Sequence, residues 1–231
     1  MEEKTFPKAV GSKFFPDGQV RPFPGNSIIC HLTGAAALTG VLDRLHERLR
    51  LSNAARCYTL LPPSSWHMTV FDCVCDQRRE TAPASRWPVN LARDIPLAEI
   101  NERFEALLRA ERFGPKLTFA MRIKEPRPLG GGICIDLEPA GAEEDRAIRA
   151  LRTRIAGTLG FELPSPDTYT FHISLAYIIE FPSDTEKREI ISILSEETEA
   201  IRRSVGHFVA GPPEFCHFND MFAFSRRLYL Q

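Results

Sequence analysis

Two short strings in this 231-residue sequence each set an imidazole and a hydroxyl two residues apart: His67-Met68-Thr69-Val70 and His172-Ile173-Ser174-Leu175. In an extended strand alternate residues face the same side, so His67 points with Thr69 and His172 with Ser174, about 7 Å apart along the chain. The apolar residues between and after them turn to the core. An imidazole titrates near neutrality and serves as general base or general acid, and a hydroxyl donates to a developing oxyanion. Two such sets suit proton transfer in both directions at one reacting group. Chance alone supplies roughly 0.3 such tetrads in a chain of this composition. A third string, His31-Leu32-Thr33-Gly34, runs into a glycine and shows how little one copy means by itself.

The elements that must position these residues follow from periodicity. Asn26–Leu32 reads as an apolar strand. Ala35–Leu51 reads as a helix with Leu38, Leu42, Leu45 and Leu49 on one face, and Ser64–Cys73 as the strand that carries the first tetrad. A helix over Pro96–Glu111 and an alternating strand over Leu117–Lys124 complete this stretch. The order then recurs: strand Gly132–Glu138, helix Glu143–Leu159, strand Thr168–Ile178 with the second tetrad, helix Thr185–Val205 and strand Glu214–Phe224. Gly130-Gly131-Gly132 lacks the context of a phosphate-binding loop and reads as a tight hairpin connection.

A strand–helix–strand–helix–strand unit occurring twice implies an internal duplication, and the spacing agrees. His31 precedes His67 by 36 residues (67 − 31), and Asp136 precedes His172 by 36 (172 − 136). The expected architecture is α+β, with two lobes of antiparallel-rich sheet lining a central groove and the helices outside. Repeats over about 26–125 and 130–224 would form one bilobal domain spanning 26–231. Residues 1–25, dense in Phe, Pro and Gly, form an extended arm that packs as a clamp.

Paired His-x-Thr/Ser tetrads in a duplicated α+β chain resemble the two-histidine (2H) phosphoesterase superfamily, which includes RNA ligase-like proteins and cyclic-nucleotide phosphodiesterases. The resemblance covers residues 26–224, and the string GSKFFPDGQVRPFPGNSII in the arm looks like a less characterised branch. It implies that His67 and His172 face each other across a phosphate, one as base on the attacking water and one as acid on the leaving oxygen. Thr69 and Ser174 would bind the non-bridging oxygens. It also implies a 2′,3′-cyclic phosphate or 2′–5′ linkage in a nucleotide or RNA end as substrate, with no metal and no cofactor.

Further polar residues fall on the elements around the groove. His31 and Asp136 share the tetrads' face if the repeat register holds, and would orient an imidazole or bind ribose. Arg122 and Lys124 alternate with apolar residues and would offer charge to a phosphate. His217 and Asn219 occupy the corresponding strand of the second half. Trp66, Tyr169, Phe171 and Tyr177 fall on the core side by alternation.

Composition bounds the alternatives. A net charge of −1 argues against coating bulk DNA. No apolar run approaches the roughly 20 residues that cross a bilayer, and the charged, Pro/Gly-broken N-terminus is no targeting peptide. Six cysteines without a CxxC read as reduced core thiols of a cytoplasmic protein, expected to be a monomer. Two other readings stay open. A metal-dependent hydrolase would use His31, His67, His172 and His217 as ligands, but leaves Thr69 and Ser174 without a role. A binding module would hold RNA ends or nucleotides without turnover.

Overall fold

The computed structural model describes residues 5–32, 36–114, 117–124, 129–163 and 169–231. Ala35, Thr33 and Gly34 of the third histidine string, and Thr168 at the start of a sequence-predicted strand, lie outside them. The order is β1 (Gly25–His31), α1 (Ala36–Arg50), β2 (Tyr58–Leu60), β3 (His67–Cys75), α2 (Leu97–Ala110), β4 (Phe119–Ile123), β5 (Gly132–Pro139) and α3 (Ala142–Leu159). Then come β6 (Phe171–Ile178), α4 (Asp184–Val205), β7 (Phe208–Ala210), β8 (Glu214–Phe218) and β9 (Ser225–Tyr229). The fold is α+β, and among the described residues four α-helices lie outside a curled antiparallel sheet.

Among the described residues nine strands join one sheet in the order β7-β4-β5-β6-β3-β1-β8-β9, with β2 added to β6. The two tetrad strands, β3 and β6, lie side by side at its centre through the pair Met68 and Ile173. These two residues are equivalent in the repeat (173 − 68 = 172 − 67 = 105), so the pseudo-twofold passes between them. The 36-residue offsets are direct cross-strand pairs: His31 stands opposite His67, and Asp136 opposite His172.

Each repeat nevertheless fails to make a lobe alone. β4, the last strand of the first unit, pairs with β5, while β8 of the second unit pairs with β1. The lobes are therefore built by exchange. The strand expected over 214–224 also ends at Phe218. A bend follows, and the chain returns as β9.

Both halves share a defect in the ladder. The pairing shifts between Ile28 and Ile29 on β1 and between Ile133 and Cys134 on β5, so Val70 and Leu175 are the extra residues. These too are 105 apart. A β-bulge reverses which residues face inward beyond it. Thus Phe71 and Ala176 are buried, while Asp72 is exposed and Tyr177 leaves the core face. Tyr177, expected in the core by alternation, packs instead on Phe14 of the arm, and its hydroxyl accepts from the Lys13 ammonium at 2.6 Å.

The helices form from amphipathic sequence and end on local signals. Leu38, Leu42, Leu45 and Leu49 of α1 are wholly buried, and α1 packs against α4. α4 opens with a capping box between Ser183 and Glu186. α3 stops at Gly160, whose φ of 78° is the left-handed conformation that glycine reaches without strain. Phe71, Phe104, Phe161 and Phe215 join their rings beneath the sheet. In the arm, Phe14 is wholly buried and Phe23 nearly so. Among the described residues no helix is long and apolar enough to cross a membrane.

Candidate active site

Extending the Met68–Ile173 register by one residue each way sets His67 across from Ser174 and Thr69 across from His172. Each imidazole therefore faces the hydroxyl of the other tetrad. The two histidines occupy diagonal positions, whose backbones lie about 7–8 Å apart in an antiparallel pair. Met68 and Ile173 point the other way and are wholly buried, which fixes the polar face toward the groove.

Both rings are held alike. His67 Nδ1 lies 2.7 Å from the Ser65 carbonyl, and His172 Nδ1 lies 3.1 Å from the Thr170 carbonyl, again 105 residues apart. A carbonyl only accepts, so each Nδ1 carries the proton and the neutral ring keeps its lone pair on Nε2. The pair can thus take and give a proton at one centre.

The surroundings of the two rings differ. Phe224, in the segment between β8 and β9, tilts over His67 with centroids 4.3 Å apart, and Phe218 backs it at 5.0 Å. Burial pushes the His67 imidazole down to about 4. The Ser65 carbonyl opposes this, the like charges of His31 and His172 reinforce it, and Asp72 opposes. His31 stands edge-on to His67 at 6.4 Å and gives its Nδ1–H to Glu214 Oε1 at 2.6 Å. Glu214 is 3% exposed, and Arg226 lies 3.5 Å from its other oxygen. Burial alone would raise this carboxyl, but the hydrogen bond and charge of His31 hold it below the usual range.

The sheet opens on either side of the central pair, and each opening is filled differently. Leu61, just after β2, donates its N–H to the Leu175 carbonyl at 2.8 Å. At the equivalent place the guanidinium of Arg152, buried on α3, donates to the Val70 carbonyl. Arg152 also lies 3.9 Å over the Tyr169 ring. The Tyr169 hydroxyl reaches Thr69 and is pushed well up by burial. On the other tetrad, Ser174 Oγ lies 3.6 Å from Cys134 Sγ.

The remaining sequence candidates separate. Lys124 stands beside Asp136, its N–H bonded to the Asp136 carbonyl, and is exposed. Arg122 pairs with Glu138 at 3.2 Å on the same strand face. His217 lies on the opposite side of the sheet. It follows Phe215, whose ring meets Phe104 of α2, and its Nε2 sits 3.4 Å from Glu105 of that helix. Asn219 is exposed in the bend after β8, where its carbonyl accepts from Phe23. Neither faces the histidine pair. Trp66 is buried, edge-on to His46.

Sequence reasoning missed Glu214 and Phe224, which surround the His31–His67 rings, and the buried Arg152 together with Tyr169, which pack behind Thr69. A carboxylate opening the apolar string EFCHF was the available signal for Glu214. Among the described residues one set of donors comes close enough for a metal: His31, Glu214 and Cys216, within 4.8 Å of one another. Burial pushes the Cys216 thiol up to about 12, and His31 Nδ1 is already bonded to Glu214. The donor chemistry therefore suits a hydrogen-bonded pair beside a neutral thiol.

Residues 13–131 match the 2H-phosphodiest family, described as a domain of unknown function (DUF1868). This chain belongs to that family. The match takes in the end of the arm and the first tetrad. A conserved protein of unknown function, ATU0111, from Agrobacterium tumefaciens is 30% identical in sequence. The alignment covers 99% of this chain and 95% of that one, with a TM-score of 0.88. No curated protein matches. Family membership supports a phosphoesterase acting on a phosphate-bearing substrate.

Proposed function

We propose that the chain hydrolyses a cyclic phosphodiester, a 2′,3′-cyclic phosphate or 2′–5′ linkage of a nucleotide or RNA end, with His67 and His172 as the acid–base pair. The observation that carries this reading is the matched tethering of the two rings through Nδ1, on adjacent strands and one polar face, which leaves each Nε2 to exchange a proton. A phosphate between them is within reach of a base for water and an acid for the leaving oxygen. The hydroxyls of Thr69 and Ser174 steady the charge on its non-bridging oxygens. Base and acid together supply what a metal-bound hydroxide would otherwise provide, so no metal is required.

Phe224 offers an apolar ring beside His67 for the group that bears the phosphate. Arg122 on β4 and Lys124 just past its end lie in the other lobe and can contact a longer anionic chain. The test is hydrolysis of a 2′,3′-cyclic nucleotide with excess chelator, by wild type, His67→Ala and His172→Ala. Activity should survive chelation and fall by at least about 10²-fold in each variant. Loss on chelation would favour a His-ligated metal hydrolase, and tight binding without turnover would favour a binding module.

A further inference from the structure

The strands flanking the central pair carry different residues at equivalent positions, His31 on β1 and Asp136 on β5 (136 − 31 = 105). Each stands directly opposite a tetrad histidine. We propose that these two positioning residues divide the labour: His31, anchored by Glu214, keeps His67 as the general base, and Asp136 keeps His172 as the general acid. The proposal rests on the two-histidine hydrolase reading above and gives the direction in which protons move.

In the step, a water oxygen bonds to phosphorus while the bond to the leaving ester oxygen breaks. The water proton goes to His67 Nε2, and the proton on His172 Nε2 goes to the leaving oxygen. Water is added across one P–O bond, and both rings then re-equilibrate with solvent.

A base must start neutral and an acid must start protonated. His67 meets His31 from β1, His172 from β6, the apolar ring of Phe224 and the Ser65 carbonyl; Asp72 lies farther along its own strand. Like charge and burial both oppose its protonation. His172 meets Asp136 from β5, His67 from β3 and the Thr170 carbonyl, with Lys124 on the next strand out. A carboxylate as cross-strand neighbour suits the ring that must keep its proton until the leaving oxygen takes it. With the roles reversed, a cation would form under Phe224 beside another imidazole, and the base would sit against a carboxylate. Glu214 makes the arrangement stable by binding His31 through both its ring N–H and its backbone N–H, the latter at 3.4 Å.

The test compares pH–rate profiles for a 2′,3′-cyclic nucleotide in wild type, His31→Gln and Asp136→Asn, with an NMR titration of the imidazoles in the absence of substrate. His31→Gln should move the acid limb to higher pH, and Asp136→Asn should move the alkaline limb to lower pH. A unit charge 6.4 Å away is expected to shift a titration by about half a unit to about two units. Each variant then narrows the bell from its own side, and Glu214→Gln should follow His31→Gln more weakly. A bell that broadens in both would reverse the roles, and limbs that do not move would remove the two residues from the mechanism. If wild type leaves the cyclic nucleotide intact, the substrate reading fails. The NMR titration still decides this proposal, which requires His67 to be the more acidic imidazole and its titration to rise in His31→Gln.

Discussion

Phe14 and Phe15 are neighbours in the arm with opposite environments: Phe14 is wholly buried and Phe15 is 41% exposed. Phe14 lies 5.4 Å from the Tyr177 ring and 6.1 Å from Phe222, so it joins the arm to β6 and to the segment before β9. Truncating a buried phenylalanine to alanine costs about 3–5 kcal/mol, from lost transfer energy and the cavity left behind. In a chain of this size that corresponds to a fall in Tm of about 6–20 °C. Phe15→Ala removes only an exposed ring stacked on Arg21 at 4.8 Å and should cost under about 0.5 kcal/mol. Thermal melts followed by calorimetry measure both. Limited trypsin digestion at Lys8 and Lys13 reports whether Phe14→Ala releases the arm. A Phe14→Ala variant that melts within about 2 °C of wild type, with the arm still protected, would refute the view that this ring anchors it.

Thr69→Val and Ser174→Ala each remove a donor to the phosphoryl oxygens, and kcat for the cyclic nucleotide should fall by about 10²–10³-fold with little change in KM. Steady-state kinetics on both variants check this. Stability should also depend on pH through His67, whose imidazole drops from 6.5 to about 4 in the folded chain. The unfolded chain then binds the proton first, so stability is full above about pH 6.5 and is lost as pH falls toward about 4, by up to about 3 kcal/mol. Denaturant titrations at pH 7 and pH 4.5, compared with His67→Gln, measure that difference. A slope unchanged by the substitution would exclude His67 as its source.

The histidine pair was legible because it follows strand alternation and a repeat, both local in sequence. The 36-residue offsets are cross-strand partners, so the spacing of four polar residues encodes the register of two strand pairs. Alternation failed at Tyr177 because a bulge intervenes. The doubled apolar residues Val70-Phe71 and Leu175-Ala176 were its visible trace in both halves. β2 and β7 have three residues each, too few for a periodic signal. His217 was placed by strand equivalence, although alternation from the buried Phe215 would have turned it toward α2. Glu214 lies 183 residues from the histidine it holds, and no local pattern encodes such a partner.

The exchange of β4 and β8 between the lobes bears on how the chain comes to exist in the cell. While the ribosome is still making the second repeat, β1 already has β3 but lacks β8, its other neighbour. Its outer edge stays open until residues beyond 214 emerge. An unpaired apolar edge invites pairing with other chains, and a ladder closed by such distant segments forms slowly. The last strands to be synthesised therefore protect the first, and a nascent chain stalled before β8 should be a substrate for chaperones.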